Sequence, residues 1–174
     1  MVRAGNWQLL GINAQLLDSG TEQELALWRW IDDQARSRAS ASGHTALFLH
    51  RPAWRPASGE LQLKGRYIPN QAAERLPLGT LRTLRLVISG HTHQYLDLTV
   101  EEVRHVWLPS TAFVLPDDIQ ASVGEKLVGI ASLDLEDDGA RLDLWCPDGM
   151  SRHDITMLPF VRAMTGDAAG AGAV

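Results

Sequence analysis

Three short, mainly apolar runs, Trp7 to Ile12, Thr45 to Leu49 and Leu84 to Ser89, are separated by helix-length spans, and this alternation limits the fold more than any other feature of the chain. Such runs, bounded by turn residues, read as buried strands. A strand, a helix and a second strand close as a right-handed parallel crossover, so the pattern predicts an α/β fold with neighbouring parallel strands. In the first spacer, Thr21-Glu22-Gln23-Glu24 has capping-box form, and Leu25, Trp28, Ile31 and Ala35 recur at helical spacing. Together they predict an amphipathic helix from Glu22 to Arg36 with one buried stripe. Ser37 to Gly43 is then a small polar linker. The second spacer, Arg51 to Leu78, is rich in Pro, Gly and Arg. It predicts a long functional loop and then a broken helical stretch up to Arg82, because Pro77 and Gly79 prevent one clean helix.

Histidines follow two of these runs. His50 stands directly after the second, and Gly90-His91-Thr92-His93 directly after the third, where Gly90 permits a sharp turn. With six histidines in 174 residues, a Gly-led His-x-His pair is an infrequent coincidence. Ligands of a parallel sheet gather beyond the carboxyl ends of its strands, so His50, His91 and His93 are expected to converge there. Neutral imidazole is the usual nitrogen donor to Zn, Fe or Mn, which makes the three candidate metal ligands.

The last third changes character. Gln94 to Val100, Arg104 to Pro109, Lys126 to Glu136 and Ala140 to Cys146 are β-rich, and Asp138-Gly139 is a tight-turn signal, so this part is expected to be antiparallel and hairpin-linked. Thr165 to Val174 is mostly Ala and Gly and is expected to be a disordered tail, leaving residues 1–164 as one domain. A net charge of -5 with a pI near 5.6, and no cluster of Lys and Arg, argues against a nucleic-acid surface. Lone Cys146 excludes an intrachain disulfide, the first residues lack the apolar core of a signal peptide, and no apolar run is long enough to cross a bilayer. The expectation is a cytoplasmic protein with no membrane partner.

At this point the residues resemble the calcineurin-like metallophosphoesterases, in particular the group similar to cyclic-nucleotide phosphodiesterases. Gly90-His91-Thr92-His93 is similar to the family's last ligand motif, Leu47-Phe48-Leu49-His50-Arg51-Pro52 to its strand-then-His-x-Pro motif, and Glu24 to Ile31 to the helix before that strand. The resemblance spans roughly Trp7 to Asp148. It implies the C-terminal part of an αββα sandwich, with a mixed sheet and antiparallel hairpins toward the C-terminus. It also implies a two-metal centre (Mn, Fe or Zn) in which His50 and His91 bind one ion and His93 the other, and hydrolysis of a phosphate-ester small molecule, mono- or diester. Ions about 3.5–4 Å apart clamp a phosphoryl group and lower the pKa of a bridging water.

The family's earlier motifs, Asp-x-His, Gly-Asp and Asn-His, do not occur before His50, so the residue that would assist catalysis is not encoded and the catalytic group is unknown. Three readings follow from that gap: a phosphoesterase incomplete as this chain, an inactive remnant or interaction module, and one half of a split enzyme completed by an N-terminal fragment. A sheet without its leading strands is also expected to expose an unpaired edge and an apolar face, favouring a homo-oligomer. Arg51 is a candidate grip for a phosphate oxygen and Trp54 a candidate pocket wall, against the plainer readings of a solvated loop Arg and a packing Trp. His44, His105 and His153 read as structural or solvated, Asp117-Asp118 as a solvated loop, and Cys146 as a small buried apolar residue. Tyr95 stands where a metallo-β-lactamase site wants Asp, and an amidohydrolase needs a far longer barrel, so both are set aside.

Overall fold

A computed structural model describes residues 1–38, 42–56, 65–77, 81–159 and 161. The chain is mixed α/β. Its main sheet has six strands: β1 (Val2–Ala4), β2 (Trp7–Ile12), β3 (His44–Leu49), β4 (Leu84–Ser89), β5 (Leu96–Val100) and β6 (Val103–Trp107), in the order β1-β2-β3-β4-β6-β5. β2, β3, β4 and β6 run parallel, while β1 and β5 fold back antiparallel on the two flanks. The predicted bounds of β2 and β4 coincide with those observed, and β3 begins one residue earlier, at His44.

Between β2 and β3 lies α1 (Glu22–Arg38). Its start follows from side-chain chemistry. Thr21 Oγ1 accepts from the Glu24 amide at 3.2 Å, and the Glu24 carboxylate accepts from the amides of Asp18 (2.7 Å) and Gly20 (2.8 Å) and from Trp28 Nε1 (3.0 Å). Four donors are thereby satisfied by two side chains. These contacts, led by the Asp18 amide, hold the Glu24 carboxyl below its ordinary range. Trp28 and Ile31 are buried as expected, but Leu25 is 55% exposed, because the buried stripe runs through Leu27 and Trp30 instead. α2 (Asn70–Arg75) ends where Leu76 turns extended ahead of Pro77, the restriction proline imposes on its predecessor; residues 78–80 of the predicted broken helix lie outside the described residues. Arg75 caps the packing of the two helices with its guanidinium 4.1 Å from the Trp28 ring centre.

Both faces of the main sheet are covered. On one face Leu10, Ile12, Leu47, Leu49, Leu84 and Val87 pack with Trp28, Ile31, Ile68 and Ala72. On the other, Trp7, Ala46, Leu86, Ile88 and Val106 meet Leu133, Leu135, Ala140 and Leu142 of a separate hairpin, β8 (Ile130–Leu135) with β9 (Ala140–Trp145). The expectation of an uncovered apolar face is corrected, since the hairpin lies over the second face, while β1 pairs with Trp7 to Leu9 alone and leaves Leu10 to Ile12 at the edge of the sheet.

Three further expectations of the last third need correction. β6 inserts parallel to β4, and β7 (Phe113–Val114) pairs parallel with β10 (His153–Asp154), so only β5–β6 and β8–β9 are antiparallel hairpins. The β8–β9 turn centres on Asp137-Asp138, one residue before the predicted pair, because the Glu136 amide donates to the Gly139 carbonyl. Cys146 is exposed, just past the end of β9 on the hairpin's free end. The tail, 165–174, lies outside the described residues.

Polar contacts fasten the hairpin. Trp7 Nε1 donates to the Glu136 carbonyl at 2.7 Å, and the Asp137 carbonyl accepts from Asn6 Nδ2 (3.3 Å) and lies 2.9 Å from His44 Nε2. Arg104 of β6 forks onto Asp97 of β5 (2.9 and 2.6 Å) and reaches the Ala140 carbonyl with its third nitrogen at 2.8 Å. His44 thus serves in packing, as its sequence context implies. Among the described residues no helix is long and apolar enough to cross a membrane.

Candidate functional site

The carboxyl ends of four parallel strands open onto one cleft, lined by Gly11 and Ile12 at the end of β2, Phe48 to His50 at the end of β3, Ile88 to Gly90 at the end of β4 and Leu108 after β6. That is the crevice in which parallel sheets hold ligands. β3 and β4 are adjacent in register, Leu49 opposite Ser89, and the Gly90 amide donates to the His50 carbonyl at 3.0 Å. The residues immediately past the two strands are thereby held side by side.

His50 and His91 meet here. His91 Nδ1 lies 2.9 Å from His50 Nε2, with ring centres 4.7 Å apart in an edge-on arrangement. The Gly65 backbone is near enough to His91 to favour its charged form, and His93 places Nδ1 3.1 Å from the Phe113 carbonyl. An imidazole anchored through one nitrogen to backbone, as His93 is, is oriented at the other, the arrangement typical of metal-ligating histidines. Burial pushes the pKa of His91 down, and the neighbouring His50 pushes it further; His93 is lowered by burial first, partly offset by the Phe113 carbonyl. Both directions favour the neutral imidazole, the form that binds metal. His93 is near enough for His50 to disfavour its charge, yet it is not in hydrogen-bond contact with the other two rings.

The backbone is as informative as the rings. His91 (φ 67°) and His93 (φ 54°) both adopt the left-handed conformation, while Gly90 does not. The sequence assigns the sharp turn to Gly90, but the two histidines carry it. Each left-handed L-residue costs about 1–2 kcal/mol, and such strain persists only where the surroundings enforce it. Thr92 between them is fully buried, donates its amide to the Gly90 carbonyl at 2.7 Å, and has a buried Oγ1 without a hydrogen-bond partner among the described residues. A Cβ at Gly90 or Gly11 would meet nothing within 4 Å, so the cleft is open above both.

His91 Nδ1 and His50 Nε2 are within hydrogen-bond distance of each other, and with metal–nitrogen bonds of about 2.0–2.1 Å their separation of 2.9 Å would subtend roughly 90° at a shared divalent ion, the angle between neighbouring octahedral ligands. A binuclear cage is another matter. Among the described residues no group of three or more His, Cys, Asp and Glu side chains is arranged to hold a metal ion.

The remaining candidates fall as follows. Arg51 turns Nη2 onto the Ala14 carbonyl and leaves Nε buried without a partner among the described residues, close enough for its charge to disfavour protonation of His91. Trp54 stacks on Trp107 at 5.9 Å between ring centres, and Tyr67 approaches the same Trp107 at 5.7 Å, so Trp54 belongs to an aromatic cluster beside the cleft. His105 is buried in β6 and its pKa falls to about 4 through burial. Asp117 accepts from Lys126 Nζ at 2.6 Å and from Ser122 at 3.0 Å, which holds its carboxyl low, in a loop away from the cleft. Sequence reasoning missed Arg66, which is only 4% exposed. Tyr67 and Ile68 beside it are buried as well, and nothing in the loop's pattern marks the arginine for burial with them.

No family of known proteins matches the sequence, and no curated protein does. In three dimensions the chain is similar to the solved structure titled "GAP50 the anchor in the inner membrane complex of Plasmodium", with a TM-score of 0.60, 14% sequence identity, and coverage of 94% of this chain and 55% of that one. The chain spans about half the length of that structure, and at this identity the likeness is one of fold.

Proposed function

We propose that this chain carries the histidine half of a metal-dependent phosphoesterase site, within the C-terminal part of a metallophosphoesterase sandwich. The observation that carries the reading is the 2.9 Å approach of His50 and His91 at the carboxyl ends of adjacent parallel strands. His50 and His91 are the proposed ligands of one divalent ion, with His93 as the ligand of a second; Mn, Fe and Zn all suit imidazole. Such an ion polarises a phosphoryl oxygen and makes hydroxide available near neutral pH. The protein's own contribution is orientation: the Phe113 carbonyl fixes the His93 ring, and the strained turn fixes the backbone. A phosphate mono- or diester is the proposed substrate, the cytoplasm the proposed setting, and a complementing N-terminal fragment the proposed partner, supplying carboxylates to a cleft that none of the described residues gives one.

The test is hydrolysis of p-nitrophenyl phosphate and its bis ester by the purified chain with Mn, Fe or Zn, alongside calorimetric metal titration. Turnover that disappears in His91→Ala supports an enzyme. A second reading, a non-catalytic interaction module, is favoured by one observation: among the described residues no carboxylate lines the cleft or touches the His50–His91 pair. The similar fold is titled an anchor in its own protein, a role of the same class. Metal binding without turnover under any of the three ions, both for the chain alone and after addition of an N-terminal fragment bearing Asp-x-His, Gly-Asp and Asn-His motifs, selects this second reading.

A further inference from the structure

We infer that Arg66 and Arg51 form an oxyanion site at the edge of the histidine pair, able to hold a phosphoryl group without any metal. Choosing phosphate as the oxyanion rests on the phosphoesterase reading; the binding itself does not depend on metal or turnover.

Arg66 is 4% exposed, and its Nε and Nη2 are buried with no hydrogen-bond partner among the described residues. Its one described contact is the Tyr67 ring, 6.0 Å from Cζ. Arg51 has the same defect at Nε, although its Nη2 reaches the Ala14 carbonyl. Neither forms an ion pair among the described residues. An arginine does not shed its proton, so a buried guanidinium with idle donors calls for an anion from outside the chain.

The two arginines are also brought together by the fold. Arg51 directly follows His50, and Arg66 directly follows Gly65, whose backbone lies near His91. The segments bearing them are pinned to each other, because the Ile68 amide donates to the Pro52 carbonyl at 3.1 Å and because Trp54 and Tyr67 both pack on Trp107. Arg51 is therefore next in sequence to one histidine of the pair and Arg66 next to a residue near the other, both within the stretch of chain between His50 and His91. Planar guanidinium forks suit tetrahedral oxyanions, to which they donate in pairs. Gly11 and Gly90 leave the adjoining floor of the cleft free of side-chain bulk.

The experiment uses the full chain stripped of metal with EDTA. Inorganic phosphate is titrated calorimetrically and by thermal melting, with chloride at matched ionic strength as the control. Binding at a Kd of about 1 mM or tighter is expected, weakened at least about tenfold in Arg66→Gln and in Arg51→Gln, with Arg66→Lys recovering only part of the loss. Circular dichroism separates loss of binding from loss of fold, and if Arg66→Gln does not fold, Arg51→Gln with the wild-type phosphate-over-chloride rise in melting temperature decides the matter. No phosphate effect beyond that of chloride, or full binding in folded Arg66→Gln and Arg51→Gln, overturns the inference. Phosphate binding in metal-free protein that shows no turnover with any metal, alone or with a complementing N-terminal fragment, upholds the oxyanion site while removing the phosphoesterase reading.

Discussion

His50 Nε2 and His91 Nδ1 lie 2.9 Å apart although the two residues are 41 positions apart in sequence. The contact exists because β3 and β4 are parallel neighbours ending level with each other, so whatever follows Leu49 meets whatever follows Ser89. Its chemistry depends on a turn that L-residues do not adopt willingly.

That turn gives the first prediction. His91 has φ 67°, where glycine is unstrained and alanine is not. His91→Gly is expected to be more stable than His91→Ala by about 1 kcal/mol in urea unfolding, even though both remove the imidazole. Equal stability of the two variants would show that the left-handed turn is not imposed in solution.

The β5–β6 hairpin carries a second strained pair. Val100 is opposite Val103, and the two residues between them, Glu101 (φ 48°) and Glu102 (φ 67°), both adopt left-handed backbone. Two-residue hairpin turns of this kind favour Asn-Gly. Replacing Glu101-Glu102 with Asn-Gly is expected to stabilise the protein by about 1 kcal/mol, raising the melting midpoint by roughly 2–4 °C.

Acid stability turns on His105. Burial lowers its pKa to about 4 in the folded chain, against about 6.5 unfolded. Above pH 6.5 the residue is neutral in both states and contributes nothing to the pH dependence. As pH falls through 6.5 toward 4 the unfolded chain takes up the proton first, so stability is lost across that window, by roughly 3 kcal/mol in total. His91 and His93 are lowered in the same direction and titrate in both proteins, so the informative quantity is the difference. His105→Leu is expected to match wild type near pH 7 and to exceed it progressively as pH falls to 4, by equilibrium denaturation at each pH.

Arg104 joins three strands. It is bidentate to Asp97 on β5 and donates to the Ala140 carbonyl of β9, and these contacts hold the Asp97 carboxyl below its usual range. Arg104→Ala is expected to cost about 2 kcal/mol, with Arg104→Lys restoring less than half, because an ammonium cannot span all three acceptors. Hydrogen exchange of the β8–β9 amides should rise with the loss if Arg104 fastens that hairpin; unchanged exchange there would assign the cost to the β5–β6 pair alone.

Local chemistry was legible. The capping box at Thr21 and Glu24, the strands β2 and β4 to the residue, and the placement of His50, His91 and His93 past strand ends all follow from short-range pattern, because strand and helix periods and cap residues act within a few positions. Expectations failed where partners are remote. The sequence marks Leu25 as apolar but cannot say that α1 is rotated to bury Leu27 and Trp30, and it marks Cys146 as small without saying that the hairpin ends in solvent.

By itself, then, the sequence determined the strands β2, β3 and β4, the helix α1 and that imidazoles stand at two strand tips. Only the tertiary structure decided that β6 inserts beside β4, that His50 and His91 touch while His93 turns to the Phe113 carbonyl, and that Arg66 is buried with idle donors. The division has a physical cause. Dihedral preference and hydrophobic period act between near neighbours in the chain, whereas strand order, burial and the pairing of charged groups are set by free energies summed over contacts between segments that the sequence keeps far apart.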